Sequence, residues 1–82
     1  MPMRLYRFHC TDGHVAIIDP VGIGIADRAQ LRAHAGDAAR FAMERVGADL
    51  DWADWIVDVH EGQGRRVLVL PFRDVAVRAR AA

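Results

Sequence analysis

Residues 4–19 read RLYRFHCTDGHVAIID, and this stretch decides the fold. Arg4 to Cys10 is rich in aromatic and β-favouring residues, with Tyr6, Phe8 and Cys10 in one phase and Leu5, Arg7 and His9 in the other. That alternation is the signature of a strand whose two sides see different surroundings. Thr11-Asp12-Gly13 follows, and an Asp-Gly pair between two such runs marks a hairpin, because glycine takes positive φ without steric cost. His14 to Ile18 is the return strand. Asp19-Pro20 ends it, since proline lacks the ladder donor and keeps the residue before it out of the helical region.

The same strand-turn-strand pattern recurs in residues 55–72, WIVDVHEGQGRRVLVLPF. Trp55, Val57 and Val59 alternate with Ile56, Asp58 and His60, and Gly62-Gln63-Gly64 turns the chain into Arg66 to Phe72. In this last strand Val67 and Val69 fall in one phase and Leu68, Leu70 and Phe72 in the other. Both faces are then apolar, the pattern of a strand covered on two sides.

Between the hairpins, Val21 to Ala26 is a glycine-punctuated connector, and Asp27 stands as a helix N-cap with Gln30 three residues on. Leu31, Ala35, Ala38, Ala42 and Val46 recur at steps of three and four and form one apolar stripe. Its small alanines let the helix lie close on a sheet, although Gly36 within it costs about 1 kcal/mol relative to alanine. Gly47 closes the helix from just past its C-terminus. If each hairpin pairs with itself and the helix returns the third strand antiparallel to the first, the four strands lie in the order 2-1-3-4. The expected fold is therefore α+β: a ββαββ unit with a four-stranded antiparallel sheet and one helix on one face. It forms a single domain over residues 1–82, with 72–82 as a C-terminal tail.

A chain of 82 residues buries only about 60 to 65% of its unfolded surface, and 52% of this one is hydrophobic. One helix shields one face of a sheet, so a second copy is expected to cover the other. The reading is a homodimer formed through the open sheet face or the edge of the fourth strand, with Ile56, Leu68, Val69, Leu70 and Phe72 as interface residues.

Composition narrows the chemistry. The chain has no lysine, serine or asparagine, which excludes serine-nucleophile triads, lysine Schiff bases and Walker-type phosphate loops. Eleven arginines balance eleven carboxylates, so no global field draws the protein to nucleic acid or to an anionic membrane. One cysteine, Cys10, cannot form an internal disulfide. Without a charged-then-apolar leader ahead of the first strand, the expectation is a cytoplasmic protein. The longest apolar run, Val67 to Phe72, is too short to span a bilayer.

Four histidines and the cysteine raise a metal hypothesis. His9 and Cys10 are neighbours on a strand and point to opposite faces, so they cannot hold one ion together. His9 and His60 share the open face in the expected order, giving at most a two-ligand site, and no cofactor is expected. His9 and Asp58 on adjacent strands form a candidate imidazole-carboxylate pair, more at home in an interface than in catalysis without a nucleophile beside it. Cys10, in phase with Tyr6 and Phe8, reads as a small buried hydrophobe. Gly22-Ile23-Gly24 precedes a helix, but Asp27 stands at the third-glycine position and its carboxylate would repel a pyrophosphate. Arg65, Arg66, Arg73, Arg78 and Arg80 form a basic concentration without interleaved aromatics, so nucleic-acid binding through them is at best weak. Trp52 and Trp55 read as packing over the core at the entrance to the third strand.

Taken in order, Tyr6-x-Phe8-His9, the Asp12-Gly13 turn, Asp19-x-x-Gly22, the alanine-rich helix and the closing Gly64-x-x-Val67-x-x-Leu70-Pro71-Phe72-x-Asp74 resemble a family of very short bacterial proteins known only as a domain of unknown function, number 6894. The resemblance covers about nine-tenths of the chain. Val21 departs from it, because the family often has an acidic residue there. It implies the ββαββ fold and no activity, cofactor or catalytic residue. The resulting expectation is a non-enzymatic interaction or regulatory module acting as a homodimer. The alternatives are small-molecule or metal binding by the open-face histidines, or weak nucleic-acid binding by the C-terminal arginines.

Overall fold

β1 (Arg4–Thr11) is the spine of the sheet in the computed structural model, which describes residues 2–47 and 50–75. On one side it pairs with β4 (Ile56–Glu61), from Tyr6 opposite Glu61 to Thr11 opposite Ile56, and β5 (Arg66–Pro71) pairs outside β4. On the other side two short strands share its edge. β2 (Ala16–Ile17) pairs with Cys10 and Thr11, and β3 (Ile23–Ile25) pairs with Arg4, Leu5 and Tyr6. Every pairing is antiparallel. α1 (Leu31–Val46) packs across one face.

The path β2-β1-β4-β5 follows the order expected for four strands, but the sheet has five. The fifth, β3, comes from the segment read as an irregular connector, and the return strand of the first hairpin is shorter than His14 to Ile18. Gly22 makes β3 possible. Its φ of 80° turns the chain back onto β1, and a Cβ there would lie 2.8 Å from Leu5 Cδ1 and 3.0 Å from the Tyr6 carbonyl oxygen. Leu5 can turn its flexible end aside, but the carbonyl oxygen is backbone and the left-handed φ is one that side chains rarely adopt, so glycine is strongly favoured here.

The core is the layer between sheet and helix. Tyr6, Phe8 and Cys10 of β1 face it together with Val57 and Val59 of β4, and burying each valine contributes roughly 1.5 to 3 kcal/mol. From α1 the buried residues are Leu31, Ala35, Gly36, Ala39 and Ala42. The expected stripe is thus rolled: Ala39 is fully buried where Ala38 packs at the edge of the core, and Val46 is exposed. Asp27 caps a 3₁₀ turn, Arg28–Gln30, that leads into α1, its carboxylate accepting the Ala29 amide. Gly47 stands at the other end with φ 99°, its amide donating to the Met43 carbonyl. Trp52, Trp55 and Phe72 close that end of the core, Trp52 stacked on Phe72 at 5.4 Å and edge-on to Trp55 at 4.9 Å.

β5 differs most from expectation. Val59 lies opposite Leu68, but His60 lies opposite Arg66, so Val67 is an extra residue in a β-bulge. The bulge breaks the two-sided alternation. Val67 and Leu68 pack against the core, Leu70 and Phe72 are buried in it, and only Val69 and Pro71 follow Ile56 and Asp58 onto the open face. Leu70 and Phe72 are therefore core residues rather than interface residues, and Leu68 is largely one too. The expected tail also starts later, because Phe72–Asp74 form a 3₁₀ turn and Val75 is buried. Residues 76–82, with Arg78 and Arg80, lie outside the described residues.

Candidate functional site

Two surfaces could carry function: the open face of the sheet and a groove beside α1. The open face is polar at its centre. Arg66 grips Asp58 in a fork, Nε donating to Oδ1 at 2.8 Å and Nη2 to Oδ2 at 2.9 Å. His60 Nε2 stands 3.0 Å from the same Oδ1, and its Nδ1 stands 3.0 Å from the Gly64 carbonyl oxygen. The Arg66 bonds, helped by His60, hold the Asp58 carboxyl below the usual carboxylate range in spite of partial burial.

His9 and His60, expected to share this face, do meet there, edge to face at 5.7 Å between ring centres. His9 and Asp58 are opposite each other in the ladder, yet they are not partners. His9 Nδ1 accepts the Asp19 amide at 3.0 Å, while the Asp58 carboxylate is spent on Arg66 and His60. Among the described residues no three His, Cys, Asp or Glu side chains converge on a point where an ion could sit. The arrangement is a knit hydrogen-bonded surface.

This corrects the premise that the open face is apolar. Arg7, His9, Asp58, His60 and Arg66 hold its centre, and its apolar residues lie to either side: Ile56 opposite Pro71 with Val69, 36% exposed, next along β5, and Leu5, 41% exposed, toward the other end. Of the arginines read as a basic concentration, two are engaged: Arg66 with Asp58, and Arg65 with Glu61 at 3.3 Å. Cys10 is buried, and its thiol is pushed up to about 11, first by burial and then by the charge of Asp19. A thiol so held is no nucleophile at neutral pH.

Exposed apolar surface gathers at the groove instead. Between α1 and the β2–β3 edge lies a depression of about 530 Å³. Phe8 and Cys10 floor it, Ile17, Ile18 and Ile23 form the sheet-side wall, and Ala38, Phe41 and Ala42 form the helix-side wall. Ile18 and Phe41 are each 60% exposed. Polar groups stand along the groove: Asp37, Arg45 and His34 on α1 and Asp19 at the sheet edge. Arg45 lies over the Phe41 ring, with Cζ 5.0 Å from its centre, and Asp37 accepts from Arg40 at 2.6 Å. Sequence reading missed this surface. A phenylalanine at helix position 41 beside a stripe of alanines was its one visible signal.

Among the described residues no helix is long and apolar enough to cross a membrane. A family model described as Domain of unknown function (DUF6894) matches residues 5–73. No curated protein and no solved structure matches the chain.

Proposed function

The chain belongs to the family of the domain of unknown function DUF6894, and we propose that it is a non-enzymatic interaction module that works as a homodimer. The observation that carries this reading is the apolar groove between α1 and the β2–β3 edge, where Phe41 and Ile18 stand exposed beside each other's walls. A large aromatic held out in water on a rigid helix is costly to solubility and is the kind of anchor that interfaces bury at their centres. The polar groups of the open face bond to one another, which suits a scaffold better than a catalyst.

Sedimentation velocity at about 50 µM, a concentration that populates complexes of micromolar Kd, is expected to give twice the chain mass of 9.1 kDa. A sedimenting species of 9.1 kDa at that concentration would overturn the reading.

A further inference from the structure

Resting on the homodimer reading, we infer that the two copies meet helix to helix, with α1 antiparallel to its counterpart across a two-fold axis beside Phe41. Charge order along a single stripe of α1 favours this arrangement. Asp37, Phe41 and Arg45 all line the groove and follow one another at steps of four, which sets them on one face of the helix. Phe41 stands midway between an anion and a cation that are about 12 Å apart along the axis.

In an interface of two-fold symmetry, residue i meets residue j while j meets i. With the axis at Phe41 and the helices antiparallel, Asp37 of each copy falls opposite Arg45 of the other, twice over, and the two phenylalanines meet at the centre. A parallel alignment in the same register would set Asp37 on Asp37 and Arg45 on Arg45, two like-charge contacts. The groups are disposed for the first arrangement. Arg45 is already drawn across the Phe41 ring, and the Asp37 side chain is 70% exposed, with Oδ1 engaged by Arg40. Ile17, Ile18 and Pro20 form the opposite wall of the groove and extend the apolar contact beyond the helices, toward the roughly 800 Å² per partner of a stable dimer.

The test combines charge reversal with cross-linking. Asp37→Arg and Arg45→Asp, made singly, are each expected to weaken the dimer about ten-fold or more, and the double variant to restore it to within about three-fold, the behaviour of directly coupled charges. Phe41→Cys is expected to oxidise to a covalent dimer for most chains, whereas Gln63→Cys, in the exposed β4–β5 turn, gives collisional cross-linking only. Circular dichroism spectra matching the parent establish that each variant folds. A wild-type dimer with no rescue in the double variant and no preference for the Phe41→Cys disulfide overturns the helix-to-helix arrangement while leaving the homodimer standing. A wild-type monomer overturns both.

Discussion

Asp19 Oδ2 accepts the backbone amide of Phe8 at 3.1 Å, so a side chain occupies the place on β1 where a neighbouring strand would supply a carbonyl. It does so in the gap between β2 and β3, which pair with β1 on either side of Phe8. The other carboxylate oxygen accepts the amides of Val21 and Gly22 at 3.1 and 2.9 Å, and the Asp19 main chain adds bonds to His9 Nδ1 and from Arg7 Nη1. One residue thus joins two strands and the bend between them.

Replacing that carboxylate leaves three amides without their acceptor. Bonds to a charged group are each worth about 1.5 to 3 kcal/mol, less where water can substitute, so Asp19→Ala is expected to cost about 2 to 4 kcal/mol. Urea denaturation measures this, and a loss under about 1 kcal/mol would show that the carboxylate does not organise the edge.

Acid should unfold the protein through the same groups. Burial pushes the Asp19 carboxyl up, but the amides of Gly22, Phe8 and Val21 outweigh it and hold the group below its ordinary value of 3.8. Arg66 does the same for Asp58. A folded-state value below the unfolded one means stability is full above the unfolded value and drains as pH falls through the folded one. Urea midpoints are expected to hold level from about pH 7 to 5 and to drop below about pH 4. Asp19→Asn and Asp58→Asn should flatten that drop, and an unchanged slope in both would contradict the assignment.

Two glycines make opposite predictions. Gly22→Ala forces a side chain into left-handed backbone, against Leu5 and the Tyr6 carbonyl, and is expected to cost more than the roughly 1 to 2 kcal/mol of the backbone term alone. Gly36→Ala places its methyl 3.4 Å from the movable guanidinium of Arg40, whose atoms are its three nearest neighbours. It should stabilise by about 0.5 to 1 kcal/mol, raising Tm by about 4 °C or so. Thermal melts of the pair decide the matter, and equal shifts in one direction would refute the reading of both sites.

Cys10 should resist thiol reagents while the protein is folded. With the thiol held at about 11, Ellman's reagent at about pH 8 is expected to react slowly with native protein and rapidly in urea. Fast labelling of the native state would mean that Cys10 is neither buried nor suppressed.

The features legible in the sequence were those written in local pattern. Alternation of Tyr6, Phe8 and Cys10, the Asp12-Gly13 turn and the Asp27 cap sufficed for the helix, the main strands and their order. β3 was not legible, because the three residues Ile23 to Ile25 are too few to show a period and carry a glycine in the middle. Leu68, Leu70 and Phe72 share one phase as the alternation shows, but which face that phase takes was not legible, because the extra residue Val67 shifts the register at the start of β5. His9 and His60 were placed together correctly, since register follows from strand order. Their partners were not, since a carboxylate's choice between Arg66 and His9 is made by side-chain reach. Asp19 read as a strand terminator, and only the fold reveals that its oxygen returns to Phe8.

The interrupted flank of β1 bears on how copies of this protein can meet. A neighbour seeking a continuous backbone template there finds rungs of two and three residues with a carboxylate wedged between them. Propagation of one sheet into the next, the first step toward a fibre, has no purchase on that flank. Encounters are left to side chains, which can let go again.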